Sequence, residues 1–165
     1  MIKQFTTSVF IINKSKDNLK IALIYHKKFD KWMVPGGHVE INENQVEAAI
    51  REAKEETGLN IRLFSFLHKE HCVNDSKWIL PAEYFYEQLI PETINESSHF
   101  HLDFAYLAFS DDTELILNTK ETKDIKWVNL QDSLLLNLFE GTKFIINEIN
   151  NKFKEDDSVV YEQNK

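Results

Sequence analysis

The sequence predicts one α/β domain that combines a β-sheet with an early helix and further helices near the C-terminus. Short runs rich in β-branched and aromatic residues recur along most of the chain, which is typical of strands. One stretch between two of these runs instead repeats its apolar residues with helical periodicity. The 165 residues suit a single compact domain, which we expect to occupy residues 1–150.

The predicted strands begin as a hairpin formed by residues 7–12 and 20–26, which a polar, turn-like segment separates. Later strands are predicted at residues 61–66, 83–90, 100–109 and 125–128. Near the end of the chain, helical segments are predicted at residues 130–139 and 142–149. Residues 151–165 contain few apolar side chains, so we expect a polar C-terminal tail that does not pack on the domain.

The early helix is predicted at residues 43–57, after the strong turn signal Pro-Gly-Gly at residues 35–37. Gly58 is placed where a C-terminal helix stop is expected. Apolar residues in this helix recur at i, i+3, i+4 and i+7, so they should form one stripe that faces the core. They are Val46, Ala49, Ile50 and Ala53.

The net charge of the chain is -8, which would repel a phosphate backbone, and no basic run offsets it. We therefore expect no nucleic-acid partner, and a cation must stand between the protein and any polyanionic small molecule. Cys72 is the only cysteine, so an internal disulfide and a Cys-rich zinc site are excluded. No apolar segment is long enough for a signal-peptide core or a membrane span, so we expect a cytoplasmic protein without a membrane partner.

Three glutamates, Glu52, Glu55 and Glu56, cluster in the last turns of the early helix, beside its apolar stripe. Such a cluster is often only a solvated helix face. However, like charges at i and i+4 repel, and carboxylates near a helix C-terminus oppose the helix dipole. A divalent cation would remove both penalties, because Mg²⁺ prefers carboxylate oxygens and keeps other positions for water and substrate phosphates. Metal therefore explains the cluster better than solvent does.

The spacing of these residues resembles the Nudix box, G-x5-E-x7-R-E-U-x-E-E-x-G-U, in which U is a bulky aliphatic residue. All the fixed positions of the box are matched within residues 37–59. The matching residues are Gly37, Glu43, Arg51, Glu52, Glu55, Glu56, Gly58 and Leu59. Ala53 departs from the pattern, since it is smaller than the aliphatic residue expected there, and this concerns helix packing rather than chemistry.

The resemblance implies an α/β/α sandwich with a mixed sheet, in which a loop-helix-loop motif holds a metal ion. By position, Glu52 and Glu56 match the main metal ligands, and Glu55 matches a further ligand or a base that activates water. The Gly37 carbonyl matches a metal ligand as well. The motif also implies that Arg51 belongs to the catalytic set and pairs with Glu43, with Glu43 and Gly58 serving the structure of the motif.

Weaker signals extend the candidate site to substrate-binding residues. His99, His101 and Asp103 would share one face of a strand, where they would bind a metal, a base or a phosphate, or would simply face solvent. His38 follows the glycine turn and either reaches the substrate or caps the loop. A distal carboxylate often completes the metal site in relatives, and Glu121 or Asp124 is placed to supply it.

Aromatic residues Trp32, Phe29, Phe85 and Tyr86 would either stack on a nucleobase or pack in the core. His68, His71 and Cys72 are expected to be surface or packing residues.

These observations favour a Mg²⁺-dependent hydrolase, with Mn²⁺ as an alternative cofactor, that splits the diphosphate linkage of a small nucleotide-type substrate. In branches of the family specialised for ADP-ribose or dinucleoside polyphosphates, a characteristic proline or tyrosine follows the box. Neither occurs between residues 62 and 79, which favours a nucleoside triphosphate or another nucleotide-linked compound. Two alternatives are a nucleotide sensor of the same fold, which the complete set of box carboxylates disfavours, and an isoprenoid diphosphate isomerase, which would need a catalytic cysteine. The sequence does not indicate an oligomeric state.

Overall fold

A computed structural model describes residues 2–15, 18–67, 79–92 and 96–155 of the chain. Its strands, in chain order, are β1 (Lys3–Ser15), β2 (Asn18–His26), β3 (Lys31–Met33), β4 (Gly36–His38), β5 (Arg62–Phe64), β6 (Tyr84–Ile90), β7 (His99–Phe109) and β8 (Thr122–Asn129). Its α-helices are α1 (Gln45–Thr57) and α2 (Glu140–Glu155), and a short 3₁₀-helix covers Asp132–Leu135. None of the helices in these ranges is long and apolar enough to cross a membrane.

The eight strands form one mixed sheet around the parallel pair β1 and β7, which stay in register from Lys3 opposite Phe100 to Ile12 opposite Phe109. All other pairs are antiparallel. The first half of β1 also pairs with β4, and its second half pairs with β2, which continues to β3 and β8. Strand β7 pairs with β6 and β5 on its other side.

The sheet lies between the two α-helices because its central strands are apolar on both faces. Alternation along β1 sends Val9 and Ile11 into a core cluster with Ala49 and Ala53 of α1. The intervening residues of β1 join a second cluster, which contains the apolar face of α2. The α/β/α sandwich and mixed sheet predicted from the sequence are therefore confirmed.

Two short strands and a longer β1 were not predicted. Strands β3 and β4 have three residues each and surround a proline, so they are too short for a periodic pattern to reveal them. Strand β1 begins at Lys3 rather than residue 7, which adds Thr6 to the sheet. That extension matters for function, because the first half of β1 lies beside β4 and the candidate site.

The prediction of a helix over residues 130–139 was wrong. Only the 3₁₀-helix forms in this segment, and the backbone already has an extended conformation at Leu136. Leu130 and Leu138 are buried while Leu135 is 86% exposed, so the leucines anchor an irregular segment instead of forming one helical stripe. The hydroxyl of Ser133 donates to the Leu130 carbonyl and satisfies a backbone group that a helix would have paired.

One residue of the predicted apolar stripe in α1 faces solvent. Ile50 is 46% exposed, whereas Ala48, Ala49 and Ala53 are buried. The helix therefore packs mainly through small residues, which lets its backbone lie close to the sheet. Val46 contacts the same cluster at its edge.

The C-terminal helix continues beyond the boundary expected at residue 150. Helix α2 extends to Glu155, and Phe153 is buried against the rings of Phe64, Phe66 and Phe109. Residues 151–155 are thus part of the packed domain rather than of a polar tail. The rest of that predicted tail lies outside the described residues.

A buried ion pair also ties this last turn to the sheet. Lys152 Nζ contacts Glu83, whose side chain is fully buried and also accepts bonds from the Ser65 hydroxyl and the Phe66 amide. We expect Lys152→Met to lower the free energy of unfolding by about 2 kcal/mol, because it leaves a buried carboxylate without its cation. Urea unfolding of both proteins measures the difference.

The matched control for this prediction is Lys154→Met, since Lys154 is exposed in the same turn. Its effect should stay within about 0.5 kcal/mol. Equal effects of the two substitutions would show that the ion pair does not hold the C-terminal turn in place.

Candidate active site

Two glycines place the chain against the acidic end of α1. Strand β4 pairs with β1 so that Gly36 lies opposite Ser8 and Gly37 opposite Thr7. A Cβ on Gly36 would lie 2.2 Å from the Thr7 carbonyl oxygen, and a Cβ on Gly37 would lie 2.3 Å from Glu52 Oε1. At Gly36 the clash would be with backbone, so glycine is required there, whereas a Cβ on Gly37 would displace the Glu52 carboxylate.

Helix α1 has well-defined ends, which fix its glutamates relative to the turn. Asn44 Oδ1 accepts from the amides of Val46 and Glu47, and Glu47 Oε2 accepts in return from the Asn44 amide, which completes a capping box. At the other end, Gly58 adopts φ 73° and its amide donates to the Lys54 carbonyl. The helix therefore ends at Thr57, directly after Glu56, as Gly58 predicted.

The three glutamates, which we call the acidic cluster, differ in burial. Glu56 is 6% exposed, and its Oε2 accepts from the Gly36 amide at 2.9 Å. The side chain of Glu52 is 14% exposed, and that of Glu55 is 56% exposed. Two carboxylates of the cluster thus lie against the glycine turn, while the third faces solvent.

Burial makes the negative charge of this cluster costly. It raises the pKa of Glu56 to about 8, and the nearby Glu52, Glu121 and Glu55 add to the effect. Burial also raises the pKa of Glu52, although Arg51 opposes that shift. Strongly perturbed carboxylates at the edge of a cleft are a typical feature of functional sites.

Arg51 organises the loop before the helix. Its Nε and Nη2 bind both carboxylate oxygens of Glu43 at 3.0 and 2.6 Å, and Nη2 also donates to the His38 carbonyl. Its Nη1 donates to Glu52 Oε1 at 2.8 Å and lies 3.5 Å from Glu55 Oε2. This bidentate bond holds the pKa of Glu43 below its usual range. Arg51 thus joins the loop to the acidic cluster.

The segment before β8 brings a fourth carboxylate to the same region. Asn118 Nδ2 donates to the Glu55 carbonyl at 3.2 Å, and the Ile116 amide donates to the Thr57 carbonyl at 2.9 Å. These contacts anchor the segment that leads to Glu121, which lines the cleft and acts on the pKa of Glu56. Asp124 instead lies within β8 and binds its neighbouring amide, so Glu121 is the better candidate.

A cleft of about 470 Å³ adjoins the acidic cluster. Gly36 and Gly37 form part of its wall, so the buried carboxylates lie directly behind that wall. This volume falls within the range of small-molecule sites. All five residues proposed from the sequence as substrate-binding also line it. They are His38, His99, His101, Asp103 and Glu121.

Three of the four histidines that line the cleft lie close together. The His101 ring lies 5.0 Å from the rings of both His38 and His99. His99 Nδ1 is 2.9 Å from the Ser97 carbonyl oxygen, and its Nε2 is 3.1 Å from His101 Nε2. Burial, with the neighbouring histidines, lowers the pKa of His101 to about 4, and burial also lowers the pKa of His38. His38 and His101 are therefore neutral near pH 7.

Asp103 lies on the cleft wall and is only 5% exposed. The Thr6 hydroxyl donates to its Oδ1 at 2.7 Å, but its Oδ2 has no hydrogen-bond partner within the described ranges. Burial raises the pKa of this carboxyl, while the nearby Thr6, Ser8 and Tyr86 oppose the shift. Thr6 and Ser8 were not predicted as residues of the site, although alternation along a longer β1 would have placed them on this face.

The aromatic candidates divide between the two faces of the sheet. Phe29 and Tyr86 line the cleft. Phe85 is 60% exposed and stacks on Phe104, which packs against the core cluster on the α1 side. Trp32 packs edge-on against Tyr25 and does not line the cleft. His68, His71 and Cys72 lie outside the described residues.

The lysine side chains at the cleft were not predicted from the sequence either. Lys27, Lys28 and Lys120 line it, although they form no run in the sequence. Lys28 pairs with Glu96 at 2.6 Å, and Lys27 binds the carbonyl oxygens of residues 119 and 120. These lysines lower the electrostatic barrier to a polyanion in a protein whose net charge is -8.

The donor set is chemically suited to a hard divalent cation. It offers carboxylate oxygens from Glu52, Glu55, Glu56 and Glu121, which are the ligands that Mg²⁺ prefers. Among the described residues, no three His, Cys, Asp or Glu side chains are close enough together to hold a metal ion in their present conformations. Arg51 instead pairs with two of the carboxylates, those of Glu52 and Glu55. Cation binding would need these side chains to turn away from Arg51, and it would relieve the cost of two buried negative charges.

Comparison with known proteins identifies the family and the fold. A family model described as NUDIX domain matches residues 3–147. A curated relative, "Probable DHNTP pyrophosphohydrolase" of Lactococcus lactis subsp. cremoris, is 32% identical over 95 residues, which cover 58% of this chain and 49% of that protein. The chain thus matches about half the length of this relative.

Two solved structures share the fold. A NUDIX-family hydrolase from Clostridium perfringens is 31% identical, with a TM-score of 0.69 over 90% of this chain and 96% of that one. An Ap4A hydrolase from C. elegans is 16% identical, with a TM-score of 0.64 over 93% of this chain and 99% of that one, and so shows the fold alone.

Proposed function

This chain belongs to the NUDIX family, and we propose that it is a divalent-cation-dependent hydrolase that cleaves the diphosphate linkage of a nucleotide-type substrate. The observation that carries the proposal is the acidic cluster, which is partly buried against Gly36 and Gly37 directly behind the wall of a substrate-sized cleft. A stable helix end would not bury two carboxylates side by side. The cost of this arrangement is explained by a role in catalysis.

We assign the cation to Glu52 and Glu56, with the Gly37 carbonyl and Glu121 as further candidate ligands. When bound, the cation would offset charge that develops on the diphosphate oxygens and would lower the pKa of a bound water. Mg²⁺ suits the all-oxygen donor set, and Mn²⁺ is the expected substitute.

The remaining roles belong to residues that orient the reacting groups. Arg51 fixes the loop through Glu43 and supports the position of Glu52. Glu55 is the most exposed carboxylate of the cluster, so it either adds a ligand or accepts the proton of the attacking water. The lysines at the cleft attract the polyphosphate and guide it toward the cation.

The substrate class rests on two observations. The cleft lies on the sheet beside the acidic cluster, so a substrate can place its phosphates near the cluster and a heterocycle further along the sheet. The name of the Lactococcus relative specifies a pyrophosphohydrolase, which matches cleavage between phosphoryl groups. A nucleoside triphosphate is therefore our first candidate. No structural observation favours a sensor, since every carboxylate of the box is present.

The test is a screen of nucleoside triphosphates and nucleotide sugars with Mg²⁺, in which release of phosphate or pyrophosphate is measured. We expect at least one compound to be hydrolysed, with activity abolished by EDTA and restored by Mg²⁺ or Mn²⁺. The double variant Glu52→Gln/Glu56→Gln, prepared in parallel, reports any contaminating hydrolase. Activity that survives EDTA, or that the double variant retains, would refute the proposal.

A further inference from the structure

The side chain of Asp103 has the features of a group that binds a ligand. It is buried in the cleft wall, and its Oδ2 has no hydrogen-bond partner within the described ranges. A buried carboxylate oxygen without a donor is costly, and such groups are rare in folded proteins. The Thr6 hydroxyl donates to Oδ1 at 2.7 Å, and the Ser8 and Tyr86 hydroxyls act on the pKa of the carboxyl as nearby donors, although within the described ranges neither reaches Oδ2 in hydrogen-bond geometry.

The strand register places Asp103 at a defined distance from the proposed cation site. His38, Thr6, Asp103 and Tyr86 form one row across β4, β1, β7 and β6. Two strand spacings, or roughly 10 Å, therefore separate Asp103 from the strand that carries Gly37. The sugar of a nucleotide can bridge this separation, so a phosphate chain near Gly37 would bring the base close to Asp103.

Imidazole nitrogens also line this wall. The Ser97 carbonyl can only accept, so His99 donates through Nδ1. His99 Nε2 and His101 Nε2 lie 3.1 Å apart, so one of them donates to the other. His38 Nε2 lies 3.0 Å from Gln4 Oε1.

We propose that Asp103 determines base specificity by accepting the paired N–H groups of a guanine-type edge, in which a ring N–H stands beside an exocyclic amino group. The two oxygens of a carboxylate can accept two parallel N–H groups, as they do from arginine. Adenine presents a donor beside an acceptor, which suits an amide better than a carboxylate. A carboxylate at this position therefore selects the guanine-type edge.

The test compares the binding of GMP and IMP, which differ only in the exocyclic amino group. We expect isothermal titration calorimetry to show that the protein binds GMP at least about tenfold more tightly than IMP, the effect of one good base contact. In Asp103→Asn the preference should fall to within about twofold, because an amide offers one acceptor oxygen where the carboxylate offers two. Circular dichroism melting confirms that the variant is folded.

Equal binding of GMP and IMP by the unaltered protein would overturn the proposal, and this comparison needs no variant. A tenfold preference that persists in folded Asp103→Asn would overturn it as well. The assignment rests on the proposed function only for the position of the phosphates. Neither GMP nor IMP contains a diphosphate, so base selectivity is measured separately from hydrolysis. A failure of the base-specificity proposal can therefore be distinguished from a failure of the proposed hydrolase function.

Discussion

Glu56→Gln is expected to lower kcat by about a hundredfold or more at saturating Mg²⁺, with a much smaller effect on KM. Glu56 is the most buried member of the acidic cluster and is bound to the Gly36 amide, so we expect it to hold the cation in a fixed position. Glutamine keeps the shape and can still accept from that amide, but it removes the negative charge. The loss should therefore fall on transition-state stabilisation rather than on ground-state binding.

The matched control is Glu47→Gln in the same helix. Glu47 is exposed, and its Oε2 accepts from the Asn44 amide in the capping box, a bond that glutamine preserves. Its kcat should stay within about twofold of the unaltered protein. Steady-state kinetics of both variants on the compound identified by the screen give the comparison. Small and equal effects would mean that the acidic cluster is only solvated surface.

Gly36→Ala is expected to destabilise the fold by about 3 kcal/mol and to reduce turnover as well. Its Cβ would lie 2.2 Å from the Thr7 carbonyl oxygen and 3.0 Å from Ser8 Cα, so the backbone of β1 or β4 must move. That movement would also shift the Gly36 amide away from Glu56. The free energy of unfolding, measured with urea, and kcat should therefore both fall.

Gly141→Ala provides the contrast, because a Cβ there meets nothing within 4 Å. The residue lies in the first turn of α2, where alanine is the better helix former, so we expect stability to rise by about 0.5 kcal/mol. Its kcat should not change. If both glycine variants lost stability equally, close packing between the turn and the sheet would not explain the need for glycine at residue 36.

The fold was largely predictable because its strands and its early helix carry strong local signals. Alternation and β-branched residues revealed the long strands, and the Gly58 stop marked the end of α1. The segment after β8 was predicted wrongly, since Leu130 and Leu138 fill the core from an irregular chain. Periodicity cannot identify an apolar segment whose conformation is set by tertiary packing.

The part of the site that we propose to bind the metal could be described from the sequence for a different reason. The acidic cluster, Arg51 and Glu43 lie within one short segment, so a spacing motif could describe them, and the expected Arg51–Glu43 ion pair is present. The cleft was harder to predict, because its wall comes from strands far apart in sequence. Alternation did place His99, His101 and Asp103 on one face, but only the parallel register of β1 and β7 brings Thr6 to Asp103.

The most direct test of the central claim is the effect of Mg²⁺ on melting temperature in the unaltered protein and in the variant that changes Glu52, Glu55 and Glu56 to Gln. A cation that binds only the folded state stabilises it by about 2.7 kcal/mol at a hundred times its Kd. We expect a clear upward shift in the unaltered protein and none in the variant. An undiminished shift in the variant would contradict the account and would place the cation elsewhere.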